Sequence, residues 1–329
     1  MEDSAMQNTE EKLSDYLRIF SELKSEFKWK VSDQRILMMA ASVYTVSGRP
    51  FQLESYRNMC DYMKQYSSMF SPFKSYHRFL TGAILDSRYD DSYAAFDELH
   101  NVYSGLTDHG FKKGIFTYVA GLAMMGNSLD GPFTKEKMEK AYILFTMMKK
   151  NHFFLTSASD YPLAALLAER AEPAEELIAR MEACYDELVD KGFKKGNDLQ
   201  FLSHILTMGD PQHNVISRCV QTAYELERHG LPVKKRFYPE IGLLSFLKNP
   251  DWNSLKKITA ALNQEFKWYK EMNFTIAVHL VVSGELQHNE LLSTGLYTAM
   301  ETLMQAQQAA MIAVIASTSD SASDGGGGE

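Results

Sequence analysis

Asn197, Gln200 and His204 stand at i, i+3 and i+7, so on a helix all three project from one stripe, with Ser203 beside it. Such a stripe would line a groove that takes a polar partner. The competing reading is a core or edge histidine hydrogen-bonded to a neighbouring carbonyl, with Asn197 capping the helix. The most polar turn of the chain holds His152, Thr156, Ser157, Asp160 and Tyr161. If Asp160 reaches His204 from an adjacent unit, the two form an acid–base pair or part of a metal site. Against this, Thr156, Ser157, Ser159 and Asp160 precede Pro162, where their oxygens would cap a helix N-terminus. The nine histidines and three cysteines contain no HxH, HExxH or paired-Cys spacing, so no metal is expected.

A second set is cationic. Lys112 and Lys113, Lys149 and Lys150, Lys194 and Lys195, and Lys234, Lys235 and Arg236 recur near predicted turns. Aligned along one edge, such ammonium groups attract anions, an acidic peptide or a phosphate-bearing ligand. Alternatively they complement helix C-terminal dipoles. The chain has no GxSxG elbow and no P-loop, so no catalytic residue and no cofactor is assigned.

The elements that position these residues come from an internal echo. Gly110-Phe111-Lys112-Lys113-Gly114 returns as Gly192-Phe193-Lys194-Lys195-Gly196, each after a Tyr-x-x-Leu that begins at Tyr103 or Tyr185. Related anchors at Phe27, Phe73, Phe154, Leu231 and Phe266 give a period of about 40, the range of two-helix HEAT-like repeats. The expected fold is all-α, an α-solenoid-like stack of about seven helical hairpins with a concave face. Residues 1–316 would form one domain, with a capping helix over 10–26, a Met- and Ala-rich helix over 291–316 and a disordered tail over 317–329. In this register His204 lies where the other units carry Met38, Ile84, Leu122, Ala165, Gly242 and Ala277. It is the polar exception.

Composition bounds the partners. A net charge of −8 argues against a general nucleic-acid binder, and no apolar run is long enough to span a membrane. The acidic, polar start lacks the features of a secretory signal, so a cytoplasmic location is expected. Cys60, Cys184 and Cys219 read as reduced core thiols. The surplus of apolar residues in the C-terminal helix predicts docking on the stack or a homodimer.

The phrases Lys150-Asn151-His152-Phe153-Phe154-Leu155-Thr156-Ser157 through Asp160-Tyr161-Pro162, Gly192 to Asn197 through Leu199-Gln200 and Ser203-His204, and Gln305 to Ala313 together resemble a bacterial family of uncharacterised proteins of about this length. That resemblance spans nearly the whole chain. It implies an intracellular bacterial protein and brings no activity. The leading expectation is a non-enzymatic binder of a protein or peptide along helix B of each hairpin. The alternative is an enzyme or small-ligand sensor with a polar pocket around His152, Asp160, Gln200 and His204.

Overall fold

The computed structural model describes residues 2–69, 71–126, 134–209 and 214–287, together with 300, 303, 304, 307, 311 and 315, with 2–9 known by their backbone alone. The fold is all-helical, and no strand occurs among the described residues. Helices of two kinds alternate. The odd-numbered ones, α1 (Glu2–Phe27), α3 (Leu53–Tyr66), α5 (Ser92–Asp108), α7 (Lys135–Asn151), α9 (Ala174–Asp190), α11 (Val215–Arg228) and α13 (Trp252–Glu265), are amphipathic and bury one face. The even-numbered ones are α2 (Gln34–Ser47), α4 (His77–Arg88), α6 (Ile115–Met125), α8 (Tyr161–Ala168), α10 (Asn197–Thr207), α12 (Tyr238–Ser245) and α14 (Lys270–Gln287). These are buried nearly all round, as in the unbroken run from Ile36 to Val46. A helix enclosed on every side must lie inside, so each odd helix is the outer partner of the even helix that follows it. All seven sequence anchors lie at the link between an outer and an inner helix.

The echo is the chemistry of that link. The Phe111 N–H donates to the Leu106 carbonyl and the Phe193 N–H to the Leu188 carbonyl, the reach-back bond of a Schellman helix end. Gly110 and Gly192 allow it by adopting φ of +105° and +94°. Phe111 then turns inward to 3% exposure. The tyrosines of the echo fasten the far side of each link: the Gly114 N–H donates to the Tyr103 hydroxyl and the Gly196 N–H to the Tyr185 hydroxyl, both at 3.3 Å.

Adjacent hairpins touch all the way round at or beside their links. Ser32 and Tyr76 share a hydroxyl hydrogen bond at 3.1 Å, and the Phe73 and Tyr118 rings meet at 4.6 Å. The Lys112 and Lys194 N–H groups donate to the hydroxyls of Tyr161 and Tyr238, and Gln200 Nε2 donates to Thr156 Oγ1. Arg236 pairs with Glu271, and Phe20 meets Phe266 edge to face at 4.8 Å. The last contact joins the first hairpin to the seventh, as do the packing of α14 on α2 and the ion pair between Lys257 and Glu10. An open stack would hold its first and last hairpins apart, whereas this one closes into a ring. Seven helices spaced about 9–10 Å apart define a circle of radius about 11 Å, room for a single helix on the axis. Met300, Leu303, Met304, Gln307, Met311 and Ile315 are helical, and all but the half-buried Met311 are buried. Gln307 bonds to inner helices α12 and α14, so these residues occupy the ring interior.

The N-terminal helix is longer than the predicted cap over 10–26 and packs on α2, α13 and α14 rather than covering an open end. The rest of the predicted helix over 291–316 and the tail over 317–329 lie outside the described residues. Because the inner helices run parallel, their carbonyl ends gather at the end of the ring opposite the links. Cations meet them there: Arg49 donates to the Tyr89 carbonyl, Arg88 to those of Leu122 and Gly126, Arg170 to Met208 and Arg180 to Thr207 and Gly209.

Candidate functional site

The amide ends of the inner helices converge at the link end, and acidic residues collect among them. Asp198, Glu240 and Glu271 lie in the first turns of α10, α12 and α14, where the helix dipole favours negative charge. Asp160 ends the short 3-10 turn that leads into α8. These four carboxylates line a cavity of about 360 Å³ with Ser159, Asn197, Thr275 and Gln307. Its apolar wall comes from Leu155, Phe201, Phe237, Pro239 and Met311, and its one basic residue, Arg236, pairs with Glu271.

Glu240 is the most unusual of the four. It is 1% exposed, and Oε1 accepts from both Thr275 Oγ1 and Gln307 Nε2, the latter at 2.8 Å. Oε2 has no partner. Burial lifts the carboxyl to about 7, against the opposing pull of Thr275, its own backbone N–H and Gln307. Behind it, His279 Nε2 lies 3.2 Å from Gln307 Oε1, and burial holds its imidazole down at about 4. A neutral ring donating from Nε2 satisfies the amide oxygen and leaves the amide nitrogen to donate to Glu240.

The residues singled out from the sequence divide between two places. Asp160 and Asn197 stand in the cavity wall. Gln200, Ser203 and His204 are buried at 1–2% exposure, so the expected groove-lining stripe is instead interior. Gln200 Nε2 donates to Thr156 Oγ1 at 2.8 Å, and Ser203 Oγ donates to the Gln200 carbonyl. His204 Nδ1 and Gln200 Oε1 lack partners; burial, with His152 close by, pushes the His204 imidazole down to about 3. His152 itself bonds Glu182 at 2.9 Å.

Asp160 and His204 form no hydrogen bond or ion pair. Asp160 Oδ2 accepts the Ser157 N–H at 2.9 Å in a capping box, and burial lifts its carboxyl to about 6. Capping, the competing reading, is what this turn does. Asn197 is the first residue of α10, and the cap position belongs to Gly196. No metal-holding group of His, Cys, Asp or Glu occurs among the described residues. Lys112, Lys113, Lys194, Lys195, Lys234 and Lys235 are exposed at the link end, where Lys235 Nζ reaches the Lys195 carbonyl at 2.9 Å.

Sequence reasoning missed Glu240, Thr275 and His279, although the ruler that isolated His204 also finds Glu240. Nine residues past each anchor stand Ile36, Gly82, Ala120, Leu163, Leu202, Glu240 and Thr275. Two adjacent hairpins carry polar groups there, and their side chains bond to each other.

Fold and site together define an all-helical protein whose hairpins close around a C-terminal segment and leave an acidic cavity at one end. The chain belongs to the family "Protein of unknown function (DUF4003)", whose model matches residues 19–309. It is 39% identical over 313 residues to "Uncharacterized protein YeaA" of Bacillus subtilis (strain 168), covering 94% of this chain and 95% of that one. No solved structure matches the chain.

Proposed function

We propose that the protein binds a small ammonium-bearing molecule in the cavity at the link end of the ring. One observation carries this reading: Asp160, Asp198, Glu240 and Glu271 line the cavity against a single base already paired with Glu271, and buried Glu240 keeps Oε2 without a partner. An anion entering there would meet like charge at helix starts that already hold acidic residues. An ammonium group meets carboxylates and, on the apolar wall, the aromatic side chains of Phe201 and Phe237. Peptide capture along a concave helix-B groove has less support, because the inner helices are enclosed and Met300, Leu303, Met304, Gln307 and Ile315 are buried, Gln307 against them.

Isothermal titration with putrescine, spermidine and arginine, with 1,4-butanediol as the neutral control, tests the proposal. At least one amine should bind the wild type at pH 8, the diol should not, and Glu240→Gln and Asp198→Asn should each weaken the amine roughly tenfold. Absence of heat with all three amines, or equal binding of the diol, rejects it.

A further inference from the structure

The six most exposed large apolar side chains among the described residues are Trp29 (90%), Tyr66 (63%), Met69 (81%), Phe153 (63%), Phe154 (93%) and Trp268 (91%). Each sits on a link or on the last residue of an outer helix, so all six share one end of the ring. Singly exposed hydrophobes are ordinary, but six gathered at one end are not. Trp29 and Trp268 occupy the same register, two residues past the anchors Phe27 and Phe266. The anchor rings are buried while the indoles stand in solvent on neighbouring links. Phe153 and Phe154 lie across the ring from them.

The same links carry cations. Lys28 Nζ lies 5.7 Å from the Trp29 ring centre and Lys149 Nζ 5.6 Å from that of Phe153. Between the third and fourth links, Lys112, Lys149, Lys150 and Phe153 border a second cavity of about 570 Å³ with no carboxylate among its described lining residues. Two of the acids at this end are engaged, Asp33 by Arg35 and Glu182 by His152.

We propose that this end of the ring docks on an anionic phospholipid bilayer, with Trp29, Trp268, Phe153 and Phe154 entering the interfacial layer and the flanking lysines meeting headgroup phosphates. These four tips stand on the first, fourth and seventh links of a ring on the order of 40–50 Å across, with Tyr66 and Met69 at the second, so a broad flat surface touches all of them where a compact protein epitope would not. Tryptophan favours the membrane interface, and each lysine near an anionic surface contributes about 1 kcal/mol. No helix among the described residues is long and apolar enough to cross a membrane, and lying on one requires none.

The test is co-sedimentation of the full-length protein with vesicles of phosphatidylcholine alone or with 30% phosphatidylglycerol (roughly the charge density of an anionic leaflet), read alongside tryptophan emission. Binding to the anionic vesicles with a blue shift is expected, weakened by added salt. Trp29→Ala/Trp268→Ala and Lys149→Glu/Lys150→Glu should each weaken it roughly tenfold or more with the circular dichroism unchanged. Phe153→Ala/Phe154→Ala provides an independent pair. Absence of binding to anionic vesicles overturns the proposal and leaves a protein as the occupant of this face. So does binding that none of the variants weakens, or complete competition by soluble glycerol phosphate at headgroup-equivalent concentration.

Discussion

Gln307 Nε2 donates to Glu240 Oε1 at 2.8 Å across 67 positions of chain, and the same amide receives His279 on its oxygen side. One carboxamide thus joins the C-terminal segment to two inner helices and supplies a hydrogen bond to a buried carboxyl. Gln307→Leu keeps the volume and removes that donor, so urea denaturation at pH 7 should register a loss of about 1–3 kcal/mol. Combining it with Glu240→Leu should cost less than the sum of the two single changes, because no buried acid is then left without its donor.

Stability should depend on pH with a definite sign. Glu240 rises from an ordinary 4.5 to about 7 on folding, so the folded state holds its proton while the unfolded chain releases it. Its contribution is fully present below pH 4.5 and is lost as the pH rises to 7, a change on the order of 3 kcal/mol. Asp160 and Glu285 act in the same direction. His204 and His279 act oppositely, losing stability as the pH falls below 6.5. The melting temperature of Glu240→Gln relative to wild type should therefore climb between pH 5 and pH 8, and a flat difference would contradict the burial.

The two copies of the link offer matched tests. Tyr103→Phe and Tyr185→Phe each remove one hydrogen bond to a glycine N–H and should each cost about 1 kcal/mol in denaturant midpoint experiments. Gly192→Ala should cost about 1–2 kcal/mol although nothing lies within 4 Å of the added methyl, because φ is +94° there.

Closure of the ring predicts the behaviour of Phe266. Its ring meets Phe20 at 4.8 Å and Tyr16 at 6.3 Å and is 5% exposed. Phe266→Ala should cost about 3–5 kcal/mol, as for a core position inside any hairpin. A cost below about 1 kcal/mol would mean that the first and last hairpins do not meet.

Helices and links were legible because their signals are local. Three- and four-residue apolar spacing, Gly110 with Phe111 and Gly192 with Phe193 each act within a few residues, and Pro162 occupies the first turn of α8 as its fixed φ predicts. Closure was not legible, since the packing of Phe20 on Phe266 depends on a small rotation accumulated over seven units. The candidate site was partly legible. Asp160 and Asn197 stand in the cavity wall, while His204 was conspicuous for its polarity and proves interior. Glu240 hid behind Pro239 at a helix start, where an acid is ordinary; only its burial beside Thr275 and Gln307 distinguishes it.

The pH dependence of ligand binding follows from the same groups. Asp160 titrates at about 6 and Glu240 at about 7, so affinity for an ammonium should rise from pH 5 to pH 8 and level off above. A rate of binding change steeper than tenfold per pH unit would require both carboxyls to ionise together.

The most direct measurement is a crystal structure of the full-length protein soaked with putrescine at pH 8. An ammonium nitrogen should lie about 3 Å from a carboxylate oxygen of Asp160, Asp198 or Glu240. A cavity left empty by putrescine at saturating concentration, or the amine held only elsewhere on the surface, would contradict the account.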